Sequence, residues 1–398
     1  MTSAYIIDAL RTPIGKYTGT LSTVRPDDLA ALVISEIVKR NPKVNLEDIE
    51  DVIFGAANQA GEDNRNVARM ALLMAGLPQE IGGVTVNRLC ASGLQAIMDS
   101  SRAIMLGEAD VYLAGGVESM TRAPYVMSKV SKAFGRDAQL FDTTIGWRFI
   151  NKKLADKYYP YAMGETAENV AKEWKVSREE QDAFALGSQE KYQAAHDADK
   201  FKEELVPVSI LQRKGDPILF NKDEHPRLSS MEKIASLKPA FIKDGTVTAA
   251  NSSGINDGAA ALILVSEDYL KKHDLKPLVK VISMGIAGVS PDCMGIGPVP
   301  ATQKALKRAG LKISDIGLVE LNEAFAAQSI ACMRDLELDP SIVNVNGGAI
   351  ALGHPLGCSG ARISTTLIHE MQKRNVRYGL ATMCVGVGQG AAVIYENC

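Results

Sequence analysis

The sequence predicts an α/β protein with two doubly wound halves and a third segment inserted between core strands. Three observations point there. Strand and helix signals alternate over residues 1–120 and again after residue 246. The two alternating stretches echo one another. The stretch between them, 121–245, breaks the alternation with charge and proline. A length of 398 residues is too great for one ordinary core and suits two or three domains.

The N-terminal half opens with a strand over residues 1–9. Residues 27–40 form a helix entered through Pro26, with Leu29, Leu32, Val33, Ile37 and Val38 at helical spacing. Strands follow at 51–57 and 83–89. The next helix carries Leu94, Ile97, Met98, Ser101, Ile104 and Met105 on one face. Residues 111–115 are a continuous apolar run of the kind buried on both faces of a parallel sheet. A strand at 260–266, within 246–270, completes this half. The inserted segment carries Pro160, Pro207, Pro217, Pro226 and Pro239, with helices around 165–174 and 178–197. It is too long for one loop and so needs local structure of its own. The C-terminal half, 271–398, is expected to place strands at 278–287, 318–321 and 378–383. Its helices are expected at 302–310, 324–336 and 361–374, and residues 391–395 read as a return strand.

The halves match in detail. Val84-Thr85-Val86-Asn87, followed by Cys90-Ala91-Ser92-Gly93 before a helix, echoes Val343-Asn344-Val345-Asn346 and a later Cys358-Ser359-Gly360, so 343–346 also reads as the strand of a strand–turn–helix unit. Residues 109–116 echo 378–382 and the glycines after Cys384. Internal duplication explains both echoes.

A net charge of -3 with both signs interspersed excludes a nucleic-acid footprint or a polybasic membrane patch. The 6 cysteines are scattered, with neither C-x-x-C pairs nor zinc-ligand spacing, and read as free thiols in a reducing compartment. No apolar run is long enough to span a membrane. The first residues lack a signal-peptide pattern and the last four are no lipidation or peroxisomal motif. A cytoplasmic location is the expectation.

Candidate chemistry gathers where predicted strands end, which is where open α/β sheets place ligands. Cys90 lies between a strand and a helix, where first-turn amides and the helix dipole favour a thiolate. The same context fits a packed thiol equally well. His354 lies in a Gly-rich loop running from Asn346 to Gly357, which fits a ligand-binding loop, a phosphate cradle or a plain turn. Cys384 opens a Gly-rich run ending at Gly390, which also reads as a tight hairpin. Asn322 and Glu323 follow the strand 318–321 at the mouth of a helix, where a simple cap is the alternative.

With these residues in view, the whole chain resembles the thiolase family. The matching motifs are Asn87 to Gly93, Gly115 to Met120, Asn322 to Ala326, Asn346 to Arg362 and Cys384 to Gly390. The resemblance implies the thiolase fold: two duplicated βαβαβαββ halves in a five-layer αβαβα core, with 121–245 as a loop domain for CoA binding and oligomer contacts. It implies reversible thiolysis of a 3-oxoacyl-CoA, in fatty-acid or aromatic-compound degradation. Cys90 aligns with the acyl-carrying nucleophile and His354 with the residue that activates it. Asn322 aligns with the holder of an oxyanion-hole water, and Cys384 with the acid/base thiol. The amides of Cys90 and Gly386 align with a second oxyanion hole. Ser253 and Arg227 align with CoA contacts, the latter across a one-residue gap. Phe325 aligns with an aromatic residue of the pantetheine tunnel, and Met163 is grouped with the substrate contacts.

No metal or redox cofactor is implied; coenzyme A is a substrate. A homodimer or homotetramer, and association with other β-oxidation enzymes, are further expectations. Where biosynthetic acetoacetyl-CoA thiolases commonly carry His before Met-Gly, this chain has Ala162. Residues 142–149 and 384–390 look more like 3-oxoadipyl-CoA and general 3-oxoacyl-CoA thiolases. For an acyl chain ending in a carboxylate, Arg136, Arg148 and Lys152 are the candidate cations, with a solvated surface as the alternative. Cys358 receives no role. A decarboxylating condensing enzyme is the rival class, and a second cysteine in a Gly-rich hairpin argues against it.

Overall fold

The computed structural model describes residues 2–398, so Met1 of the expected opening strand lies outside the described residues. The N-terminal half runs β1 (Ala4–Arg11), α1 (Pro26–Arg40), β2 (Ile49–Gly55), α2 (Val67–Met74), β3 (Gly82–Val86), α3 (Ser92–Leu106) and β4 (Val111–Ser119). The inserted segment holds two short hairpins and the helices α4 (Met163–Glu173) and α5 (Arg178–Asp197). The chain then returns through β5 (Asn256–Ser266). The C-terminal half runs β6 (Val279–Gly288), α6 (Pro298–Ala309), β7 (Leu318–Leu321), α7 (Ala326–Asp335), α8 (Leu356–Arg374), β8 (Tyr378–Val385) and β9 (Gln389–Asn397).

Local chemistry sets these limits. Pro26 starts α1, Asp27 and Asp28 fill its first turn, and Lys39 and Arg40 its last, each matching the helix dipole. Ser177 and Glu180 close a reciprocal capping box on α5.

The strands order as β3-β2-β4-β5-β1-β6-β9-β8-β7. The two half-sheets meet only through Tyr5 with Lys280 and Ile6 with Val279, between β1 and β6. That narrow seam lets them fold over one another into five layers. Leu29, Val33, Ile37 and Leu72 of α1 and α2 cover Val52, Phe54 and Leu113 on one outer face. Ala305 and Ala331 of α6 and α7 cover Leu321, Leu380 and Ile394 on the other. Between the sheets lie α3 and α8, where Leu94, Ile97, Ile363 and Leu367 pack with residues of both halves. These helices touch backbone to backbone. A Cβ on Gly360 would sit 2.1 Å from the Leu94 amide nitrogen, so glycine is required there.

The inserted segment is tied down by ion pairs and packing. Buried Arg11 of β1 pairs with Glu204 at 2.6 Å and Asp223 at 2.7 Å. Two carboxylates on one guanidinium satisfy most of its donors, which offsets the desolvation of all three. Helix α5 lies on the short helix Ala349–Leu352 and on α7, while α4 lies on α7 and the turn Pro291–Ile296. Among the described residues no helix is long and apolar enough to cross a membrane.

Some expectations need correction. The strand expected at 343–346 is reduced to one bridge, Val343 with Val319. Asn344 there has φ 45°, and its side chain bonds the Leu321 backbone in both directions, at 2.9 Å and 2.8 Å, in place of a ladder. Helix α8 begins at Leu356, five residues before the expected 361, so Cys358 lies inside it. Two histidines outside the candidate site are largely enclosed. The imidazole of His369 bonds the Ala9 carbonyl oxygen at 2.8 Å, and burial lowers the pKa of His225 to about 4.

Candidate active site

Cys90 sits on a strained corner between β3 and α3. Leu89, just before it, has φ 47°, a left-handed value unfavourable for a branched side chain. Neighbours hold it there. Asn87 Oδ1 accepts from the Leu89 amide at 2.8 Å. Ser92 Oγ accepts from the Arg88 amide at 2.9 Å and donates to the Leu89 carbonyl at 2.6 Å. Arg88 then bridges Gln95 in α3 at 2.6 Å and Gln389 in β9 at 2.8 Å. The Cys90 corner is thereby fastened to the hairpin that carries Cys384 and Gly386.

The Cys90 sulfur faces two backbone amides, its own and that of Gly386. Both favour the thiolate, yet burial outweighs them and Glu118 adds to the effect, pushing the thiol up to about 11. The expected thiolate is therefore not the resting state. The helix starts at Ser92, two residues too late for its dipole to dominate.

Cys384 lies near the end of β8, buried in a cluster with Ala167, Val247, Met294, Ala324 and Phe325, against which Met163 packs. Burial holds its thiol well above the ordinary value, and the neighbouring Cys90 raises it further. The two thiols thus share one pocket. Met163 closes it on the Gly386 side, with Sδ 3.8 Å from where a Cβ on Gly386 would be.

His354 approaches from the C-terminal half. Its Nδ1 lies 2.6 Å from Ser359 Oγ, and that hydroxyl donates to the Pro355 carbonyl at 2.8 Å. A hydroxyl has one proton to give. Ser359 must therefore accept from Nδ1–H, which leaves Nε2 unprotonated and an acceptor. Asn322 Nδ2 lies 3.5 Å from Nε2. Burial first, and the charge of Arg362 second, hold the imidazole down to about 3, so it is neutral. Its backbone is pinned from the opposite half by Asn256 of β5, whose Oδ1 accepts from the His354 amide at 2.9 Å. Gly353 beside it has φ 104° and no room for a Cβ, which would meet Asn256 at 2.5 Å.

Asn322 is fully buried, and its Oδ1 has no protein hydrogen-bond partner. Next to it, the Glu323 carboxylate accepts from Ser188 of α5, Asn344 and the Ile350 amide, at 2.7 Å, 2.7 Å and 3.1 Å. Glu323 thus locks the loop that leads to His354. Glu118 does the same from the N-terminal half, accepting from the amides of Ala57, Asn58 and Gly357. Burial raises it to about 7.

The residues expected on the CoA side spread more widely. The Ser253 amide donates to the Ala324 carbonyl at 3.0 Å, placing Ser253 beside the Asn322–Phe325 segment. Arg227 is exposed and bonds the Ala249 carbonyl at 3.2 Å. It lines a surface cavity of about 540 Å³ with Lys16, Tyr17, Glu224 and His225. Arg136 and Lys152 are exposed, and Lys152 pairs with Asp156 at 3.0 Å, whereas Arg148 is half-buried. Sequence reasoning passed over Asn87, Arg88, Asn256 and Ser359 as positioning groups. For Asn256 no local signal exists, because its partner lies 98 positions away.

Models of the thiolase N-terminal domain and the thiolase C-terminal domain match residues 4–268 and 275–397. The chain belongs to the thiolase family. It is an acyltransferase that cleaves a 3-oxoacyl-CoA with CoA to acetyl-CoA and a shortened acyl-CoA. It is 54% identical over 400 residues, the full length of both chains, to a 3-oxoadipyl-CoA/3-oxo-5,6-dehydrosuberyl-CoA thiolase of Escherichia coli (strain K12). It is 56% identical over 396 residues to a beta-ketoadipyl-CoA thiolase of Pseudomonas aeruginosa, covering 99% of this chain and 98% of the relative. The crystal structure of the Bacillus anthracis acetyl-CoA acetyltransferase superposes with a TM-score of 0.93 at 42% identity, over 100% of this chain and 99% of that one.

Proposed function

We propose that Cys90 carries the acyl group, Cys384 moves protons, and the favoured substrate is a 3-oxoacyl-CoA whose acyl chain ends in a carboxylate, as in 3-oxoadipyl-CoA. The observation that carries the catalytic assignment is convergence: the Cys90 sulfur meets the Gly386 amide and shares a pocket with Cys384. Full-length relatives at 54% and 56% identity, both named for such substrates, support the acyl group.

The chemistry starts from a neutral thiol and a neutral imidazole. His354 Nε2, the unprotonated ring nitrogen, takes the Cys90 proton as the sulfur attacks the C3 carbonyl. The tetrahedral adduct collapses, the C2–C3 bond breaks, and acetyl-CoA departs as its enolate. The new Nε2–H and a water held by Asn322 stabilise the enolate oxygen. Cys384 protonates C2 and becomes a thiolate. That thiolate removes the proton from incoming CoA, whose sulfur attacks acyl-Cys90. The second oxyanion sits between the amides of Cys90 and Gly386. Collapse releases the shortened acyl-CoA and regenerates the Cys90 thiolate, to which His354 returns the proton. From 3-oxoadipyl-CoA the products are acetyl-CoA and succinyl-CoA. No metal or redox cofactor enters. Ser253, Arg227 and Phe325 serve the CoA side, and Met163 the acyl side.

The named substrates of the relatives favour aromatic-compound degradation over fatty-acid β-oxidation as the setting. The open outer edge of β3 and the exposed Tyr125, Met127 and Leu140 support a homo-oligomer. The substrate reading is tested by comparing kcat/KM for thiolysis of 3-oxoadipyl-CoA, 3-oxohexanoyl-CoA and acetoacetyl-CoA. It expects the first to be highest. A preference for either uncharged chain would overturn it.

A further inference from the structure

If the acyl chain ends in a carboxylate, some cation must meet it inside the pocket, because a buried unpaired carboxylate is strongly disfavoured. The pocket wall on the Met163 side comes from the inserted segment, and the basic residues between positions 121 and 162, the stretch that leads to Met163, can be sorted by position. Lys129, Lys132, Arg136, Lys152, Lys153 and Lys157 are all exposed to solvent. Arg122 is half-buried but held by Glu62 at 2.6 Å. Arg148 is half-buried and makes no ion pair or side-chain hydrogen bond among the described residues.

The stretch of chain that leads to Arg148 is held at both ends by side-chain hydrogen bonds. At one end Thr143 is buried, and Asn58 Nδ2 donates to its Oγ1 at 2.9 Å and to its carbonyl at 3.3 Å. The Asn58 amide in turn donates to Glu118 at 3.0 Å, and Glu118 also holds Gly357. At the other end Trp147 Nε1 donates to the Tyr161 carbonyl at 3.0 Å. Tyr161 is two residues from Met163, which packs on the Cys384 cluster and approaches Gly386. Residues 143–147 are therefore linked through Asn58 and Glu118 to Gly357, just past the His354 loop, and through Tyr161 to the chain that carries Met163. Arg148 follows the second anchor directly.

We propose that Arg148 is the specificity-determining residue that binds the terminal carboxylate of the acyl chain. This rests on the dicarboxylic substrate reading above. In 3-oxoadipyl-CoA, three C–C bonds of about 1.5 Å each separate C3 from the carboxylate carbon, so the charge stays within about 5 Å of the carbon that bonds to Cys90. A guanidinium fork presents two parallel donors to such a carboxylate, whereas a lysine would present one point charge.

The test is the ratio of kcat/KM for 3-oxoadipyl-CoA to that for 3-oxohexanoyl-CoA, which has the same carbon count and a methyl in place of the carboxylate. The ratio does not depend on how much of a preparation is folded. Arg148→Met is expected to lower it by about 10–10²-fold, the worth of hydrogen bonds to a charged group. Arg148→Lys should fall between Arg148→Met and the unaltered enzyme. An unaltered enzyme that favours 3-oxoadipyl-CoA, together with an Arg148→Met enzyme of undiminished ratio, overturns the assignment and leaves the substrate reading standing. An unaltered enzyme without that preference overturns both.

Discussion

The two halves of the molecule place a cysteine at matching points, and the two thiols sit in different surroundings. In the N-terminal half, β3 turns directly into α3, and Cys90 occupies the corner itself, part-exposed, with two amides on its sulfur. In the C-terminal half, the Gly-rich stretch 347–355 intervenes. Cys358 is carried into α8, wholly buried, with its thiol pushed up to about 12. The inserted loop gives that corner to His354 instead. In the proposed mechanism one copy of the duplicated unit supplies the nucleophile and the other supplies its base. The helices that follow these two corners, α3 and α8, pack on each other.

The sharpest way to break this comparison is to remove each sulfur in turn. Cys90→Ala should lower thiolysis by about 10⁴–10⁶-fold, the loss seen when a nucleophile is deleted, with unchanged circular dichroism. Cys358→Ala should leave kcat/KM within about threefold and reduce stability by about 1 kcal/mol, the cost of a small buried cavity. Comparable rate losses in the two variants would mean that the corners are not functionally distinct.

A smaller effect follows from the resting protonation state. The thiolate is the alkylating species, and its fraction rises tenfold per pH unit until pH passes the thiol pKa. With Cys90 held up to about 11 by burial, alkylation of the Cys90 peptide by iodoacetamide should climb about 10³-fold from pH 7 to 10 without levelling. A plateau beginning below pH 8 would show a preformed thiolate, as the sequence alone suggests, and would remove the neutral starting pair from the mechanism.

Much of this was legible in the order of residues. Cys90, Asn322, His354 and Cys384 all lie at strand ends or in glycine-rich turns, and those are local signals. The strand–helix alternation and the echo around Cys90 and Cys358 marked the duplication. What stayed hidden depends on contacts across the halves. Asn256 is an unremarkable residue in a strand until its side chain reaches the His354 amide. Ser359 fixes the imidazole tautomer only because α8 starts early enough to place it under the ring. The expected strand at 343–346 failed because Asn344 bonds across to Leu321 and Glu323, an arrangement that alternation of apolar residues cannot reveal. The ionisation of Cys90 was misjudged for the same reason: proximity to a helix start is a local cue, whereas burial is a property of the assembled pocket.

The central claim is that Cys90 alone receives the acyl group. The direct measurement is peptide mass spectrometry on acid-quenched enzyme after mixing with 3-oxoadipyl-CoA in the absence of free CoA. The account predicts a succinyl group on the peptide containing Cys90, discharged within one turnover when CoA is added. A succinyl group on the peptide of Cys384 or Cys358, or an unmodified Cys90 under conditions where acetyl-CoA is released, would contradict it.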